Sequence, residues 1–194
     1  MGQAREFICL AAGKGSRMGR LGTYLQKAMY PVGLKPFLQL SLEQLLASGA
    51  APVGSRLVLV VGHLAEQVRG YFGGSFEGLE LAYVLQERQA GTGHALMRAA
   101  TALEGSGSVV AWQGDLFVPS ALFAQVAAHP LPNVVTLGEG HEDESPVLRA
   151  TTEGERVTRV WQGEGPLLDI GLWKLAAGLL PEFGQVVAPN GELR

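Results

Sequence analysis

The chain has 194 residues, enough for one domain with a sizeable core. Its formal net charge of −3, from Lys+Arg 15 against Asp+Glu 18, excludes a general attraction to nucleic acid or an anionic membrane, so an anionic ligand must be held by a local basic cluster. A composition 47% hydrophobic and 17% charged argues against disorder, and the single cysteine, Cys9, excludes an intramolecular disulfide.

The first predicted strand is the apolar run from Phe7 to Ala12, which breaks into Gly13-Lys14-Gly15-Ser16-Arg17-Met18-Gly19. Arg5 and Glu6 before it and glycines after it do not resemble a signal peptide, and no apolar run approaches the ~18 residues of a membrane span. A strand ending in small and basic residues surrounds a phosphate with backbone N–H groups and cations. Gly13 and Gly15 are expected to take positive φ there, with Lys14 and Arg17 adding charge. Met18 breaks G-x-G-x-x-G, and the P-loop pattern is absent.

Further along, Lys35 to Ser48 carries leucines at helical spacing, with Pro36 suited to a first turn and Gly49 to a stop. Residues 56–61 form a β-branched strand covered on both faces, and Leu64 to Phe72 a short helix. Strands are predicted over 79–86, 109–112 and 133–137, and helices over 92–103, with Thr92 as N-cap, and 120–128. Beyond a polar loop from Gly138, residues 147–151 and 157–161 read as a β-hairpin, and 167–173 as a last strand before an apolar helical stretch ending near Pro181. This βαβα alternation predicts an α/β, three-layer doubly wound (Rossmann-like) mostly parallel sheet with a small β-hairpin insertion, its ligands at the carboxyl ends of the strands. The whole chain, 1–194, reads as one domain.

Two more constellations carry chemistry. Gln86, followed by Gly91-Thr92-Gly93-His94-Ala95, ends a strand; its carboxamide can accept from an imide N3–H and donate to O4, pairing with uracil or thymine, while a flipped amide equally satisfies cytosine. His94 is expected to pack beneath this element. Trp112-Gln113-Gly114-Asp115 places a lone carboxylate after a strand, a pattern that by itself is usually a turn or N-cap. The four histidines show no zinc spacing.

Together, the 7–18 stretch, Lys27, Pro31-Val32-Gly33-Leu34-Lys35-Pro36, the Gln86 element and Gly114-Asp115 resemble the sugar-1-phosphate nucleotidyltransferases. The G-T-G-H-A run is similar to the uridylyltransferases that make UDP-N-acetylglucosamine, and the chain also resembles glucose-1-phosphate thymidylyltransferases. The resemblance implies transfer of a nucleoside monophosphate from an NTP, UTP or dTTP favoured, to a sugar-1-phosphate, with Mg²⁺, in the cytoplasm. It implies that Leu10, Ala11, Ala12, Gly13, Lys14, Gly15, Ser16, Gln86, Gly91, Thr92 and Gly114 bind the nucleotide. Arg17 and Lys27 act on the phosphates, and Asp115 holds the metal. Tyr30 and Lys35 support the turn into the first helix.

The resemblance implies a nucleotide-binding half (1–115) and a sugar-phosphate-binding half (116–194), and it thins after residue 115. Ser145-Pro146, Gln162-Gly163-Glu164 and Asp169-Ile170-Gly171 stand where the family has its sugar-binding elements, so Gly140, Glu164, Asp169 and Gly171 are the sugar-side candidates. The chain ends at Arg194, short of the family's second metal ligand. It is therefore expected to be C-terminally shortened, and a non-catalytic nucleotide-binding regulatory domain, or cytidylyl or guanylyl transfer to another phosphorylated acceptor, stays open. The expected partners are an NTP and a sugar-1-phosphate, with neither nucleic acid nor membrane; a homo-oligomer stays open.

Overall fold

A computed structural model of the protein describes residues 5–105, 107–139, 148–162 and 166–185. The strands are β1 (Glu6–Ala11), β2 (Pro31–Val32), β3 (Lys35–Pro36), β4 (Arg56–Val61), β5 (Ser75–Phe76), β6 (Leu79–Leu85), β7 (Ser108–Gln113), β8 (Val134–Glu139), β9 (Leu148–Glu153), β10 (Arg156–Gln162) and β11 (Leu167–Ala176). The α-helices are α1 (Phe37–Ala47), α2 (Ala65–Phe72), α3 (Thr92–Ala100) and α4 (Ser120–Ala128), joined by 3-10 segments at Ser16–Thr23, Lys27–Met29 and Ala177–Gln185.

The main sheet runs in the order β10-β9-β11-β7-β1-β4-β6-β5, with β8 also pairing β11. Its centre, β7-β1-β4-β6, is parallel; β11, β9 and β10 extend it antiparallel on one side and β5 on the other. Alternation along the central strands explains the layers. Phe7, Cys9, Leu57, Leu59 and Trp112 pack into one core with Leu38, Leu42 and Leu45 of α1, Val68 of α2 and Phe123 of α4. Ile8, Val58, Val60 and Ala111 face the other way, against Ala95, Leu96 and Ala99 of α3 and Leu180. A strand buried on both faces reads as a continuous apolar run, which is why β1 and β4 lack polar alternation.

The three-layer α/β expectation holds, and the 148–162 hairpin is present, with Arg156 opposite Glu153. Several local expectations are corrected. Lys35 and Pro36 belong to a small β2–β3 hairpin, and Pro36 is the N-cap of α1 instead of part of its first turn. The N-cap of α3 is Gly91, at φ 95, with no side-chain cap bond, so Thr92 is the first helical residue and not the cap. The apolar stretch after β11 is a 3-10 segment with Pro181 inside it, as expected where proline removes an i→i−4 bond.

Candidate functional site

The carboxyl ends of β1, β6 and β7 open into a cleft of about 360 Å³. Its walls bring together Leu10 to Met18, Gln26 to Ala28, Gln86, Gln89, Gly91, Thr92, Ala95 and Gln113 to Asp115. All the expected nucleotide-side residues therefore share one cavity, although they come from segments far apart in the chain.

The loop after β1 is built from backbone constraints. Gly15 takes φ 62 and ψ 38 as the chain enters the 3-10 turn, and Met18 N–H donates to its carbonyl at 2.8 Å. Gly13, expected to share that left-handed geometry, is not among the positive-φ glycines. A Cβ on Gly13 would meet nothing within 4 Å, so its bare α-carbon leaves room for a ligand. Gly22 is essential in another way: a Cβ there would stand 2.8 Å from the Gly15 carbonyl oxygen. Lys14 and Arg17 are exposed on the cleft wall.

Side-chain amides brace this loop. Gln26, 1% exposed, donates from Nε2 to the Ala11 carbonyl at 2.6 Å and accepts at Oε1 from Ala28 N–H. Gln67 on α2 accepts from Gln26 N–H at 2.8 Å and donates to the Tyr24 carbonyl at 2.7 Å. Gln89 donates to the Ala12 carbonyl, and His63 Nε2 to the Gly22 carbonyl, both at 2.7 Å. Two carbonyl oxygens at the mouth of β1 are thereby engaged by donors, which lessens their repulsion of an anion. None of these four side chains was identified from sequence. Gln26, a polar residue beside Lys27, is the one whose position could have drawn notice.

Gly114 closes the β7 side. Its N–H donates to the Leu10 carbonyl at 2.8 Å, and a Cβ would meet that oxygen at 3.0 Å and Cys9 Sγ at 3.2 Å. A Cβ here would press on β1 from 3.0 Å, so glycine suits the close approach of β7, and the next residue, Asp115, is delivered to the cleft, where its carboxylate accepts from Lys27 Nζ. Burial first, and then the Asp115 charge, pushes the Cys9 thiol well above its ordinary pKa, so it is an inert core residue. Tyr30 and Lys35 sit at the turn as expected, the Tyr30 carbonyl accepting from Phe37 N–H at 2.9 Å and Lys35 pairing with Glu43 at 2.8 Å.

On the base side, Gln86 Nε2 donates to the Gly91 carbonyl at 3.2 Å and lies 2.9 Å from His94 Nδ1.

On the acceptor side, Gly171 immediately precedes Leu172, the β11 residue that pairs Trp112, and a Cβ there would meet the Gln113 side chain at 2.9 Å. Gly171 and Asp169 are thus at the same end of the sheet as the cleft but are not among its lining residues. Asp169 accepts from Gly171 N–H and Trp173 Nε1–H, both at 2.9 Å, while burial raises its pKa against the opposing effect of those bonds. Gly140 and Glu164 lie outside the described residues.

Among the described residues no cluster of His, Cys, Asp or Glu forms a metal cage. A single cleft-facing carboxylate nevertheless fits Mg²⁺, which takes one or two carboxylates and completes its octahedron with phosphate oxygens and water. Asp115 is the residue that would hold it. No helix of the described residues is long and apolar enough to cross a membrane.

Residues 7–179 match the family model of the MobA-like NTP transferase domain. The bifunctional protein GlmU of Geobacter metallireducens is 42% identical over 125 residues, covering 63% of this chain and 24% of that protein. The GlmU of Ruegeria pomeroyi is 36% identical over 156 residues, 79% of this chain and 33% of that protein. The chain thus spans a quarter to a third of the length of these relatives. A UDP-glucose pyrophosphorylase complexed with UDP-glucose superposes with a TM-score of 0.83 at 20% identity, over 98% of this chain and 83% of that one. For a putative glucose-1-phosphate thymidylyltransferase of Bacillus anthracis the TM-score is 0.80 at 18% identity, over 98% and 79%. At such identities the structural likeness establishes the fold.

Proposed function

The chain belongs to the MobA-like NTP transferase domain family, and we propose that it transfers a nucleoside monophosphate from an NTP, UTP or dTTP, to a sugar-1-phosphate and releases pyrophosphate. The observation that carries this reading is the single cleft shared by the basic loop, the Gln86 element and the Lys27–Asp115 pair. Its two ends suit the two ends of a nucleotide: amide and glycine backbone at one, the glycine loop with Lys14 and Arg17 at the other.

In this reading the acceptor phosphate oxygen attacks the α-phosphorus and the bond to pyrophosphate breaks. The nucleophile is already anionic near neutral pH, so no base is needed, and catalysis is positioning and charge neutralisation. Lys14 and Arg17 grip the triphosphate, and Lys27 neutralises the reacting phosphates. Asp115 would hold Mg²⁺, which would supply screening of charge between the phosphates. Gly13 and Gly15 let the loop backbone approach the phosphates; Gly91 and Thr92 do the same for the nucleoside. Gly140, Glu164, Asp169 and Gly171 are assigned to the acceptor side.

Support comes also from the GlmU likeness, which covers 63% to 79% of this chain. The test is to give the folded 194-residue chain Mg²⁺, each NTP in turn and a panel of sugar-1-phosphates, and to measure pyrophosphate. Release with UTP or dTTP and one of the acceptors is expected; no release with any pair overturns the assignment. Calorimetric binding of a nucleotide without turnover would instead mark a regulatory binding domain.

A further inference from the structure

The orientation of the Gln86 carboxamide, ambiguous in sequence, is decided by its two neighbours. The Gly91 carbonyl oxygen, 3.2 Å away, can only accept a hydrogen bond, so the Gln86 atom facing it is the nitrogen. That same nitrogen lies 2.9 Å from His94 Nδ1. Nδ1 must then be a bare acceptor, and the imidazole carries its proton on Nε2. The environment favours that neutral ring: burial first, then the Arg98 and Arg88 charges, lowers the His94 pKa.

Both donors of the Gln86 amide are now used up inside the protein. Its Oε1 takes part in no hydrogen bond among the described residues, and Gln86, only 5% exposed, is one of the residues that line the cleft. We propose that His94 is a specificity-determining positioning residue, which holds Gln86 as a pure acceptor and so selects a nucleobase presenting an imide N–H. Uracil and thymine offer N3–H at this edge. Cytosine offers a lone pair at N3 and meets Oε1 favourably only by shifting to present its N4 amine. Without the imidazole, one of two restraints on the amide is lost, and a rotated amide that donates to cytosine N3 becomes accessible. The inference rests on the cleft being a nucleotide site, as proposed above.

Two measurements test it. In the unliganded protein, ¹⁵N NMR of the imidazole should show His94 with Nδ1 unprotonated and hydrogen-bonded and Nε2 protonated; a proton on Nδ1 overturns the proposal. Calorimetry with UTP and CTP, in Mg²⁺ and without acceptor, should show a UTP preference in the wild type. His94→Phe should reduce the UTP:CTP affinity ratio about five- to tenfold, the scale of one lost hydrogen bond. His94→Asn, whose Oδ1 can again accept from Gln86, should restore part of it. A folded wild type that binds no nucleotide removes the nucleotide reading and this selection with it. A wild-type preference that survives unchanged in both folded variants removes the selection alone.

Discussion

Lys27 Nζ donates to Asp115 Oδ2, joining two residues 88 positions apart across the wall of the cleft. Their side chains are 36% and 34% exposed, so the pair is well solvated and contributes at most about 1 kcal/mol to folding. A bound metal–triphosphate offers each of them a stronger partner: phosphate for the ammonium, cation for the carboxylate. Asp115→Asn and Lys27→Ala should therefore melt close to the wild type while pyrophosphate release falls about 10²–10³-fold, the scale of losing one charge-stabilising group. A melting curve and a turnover assay on the same preparation check this. Loss of both stability and activity would mean the pair is structural.

Gln26 behaves oppositely, because it is buried and does its work on the backbone. Gln26→Leu keeps the volume but strands the Ala11 carbonyl and the Ala28 N–H. Each unsatisfied buried group costs about 1–3 kcal/mol, so urea denaturation should show a loss of roughly 2–5 kcal/mol. Since Ala28 follows Lys27, nucleotide affinity should fall as well. A variant as stable as the wild type would show that water replaces the amide.

The loop glycines separate into two kinds. Gly22→Ala drives a Cβ to 2.8 Å from the Gly15 oxygen, backbone against backbone, so the loop must shift; a stability loss of about 1–3 kcal/mol is expected. Gly13→Ala meets no protein atom within 4 Å and should fold normally, yet its methyl enters the cleft and should weaken nucleotide binding. Equal effects of the two on stability would contradict the distinction.

These contrasts show which parts of the molecule were legible before folding. β1 and β4 could be read because burial on both faces demands an unbroken apolar run, and the Gly13 to Arg17 loop because its residue types are those an anion requires. The place of β11 between β7 and β9 could not, since an antiparallel insertion leaves no mark in its own sequence. The two-residue strands β2, β3 and β5 are too short for any periodicity. The Gln67 and Gln89 braces were invisible because an isolated glutamine looks like surface until the carbonyl it meets is known; Gln26 had only its place beside Lys27 to mark it. Gln86 was found, but its polarity toward the cleft depends on His94 and Gly91, which only the start of α3 brings against it.

Asp169 gives a pH-dependent test. Its carboxyl is raised above the ordinary carboxylate range, by burial more than its bonds from Gly171 and Trp173 can offset. A raised folded-state pKa favours the native state while the group is protonated. That advantage is complete below the unfolded pKa of about 3.9 and is lost as pH rises through the folded value. Asp169→Asn keeps an oxygen to accept from Gly171 and Trp173 and has no proton to lose. It should match the wild type in Tm at acid pH and exceed it increasingly toward neutrality, measured by thermal melts across pH. If the carboxylate also holds the acceptor, the same variant will raise the sugar-1-phosphate KM, while the UTP KM stays unchanged. A Tm difference independent of pH would show that the carboxyl gains as much from its two donors as burial takes away.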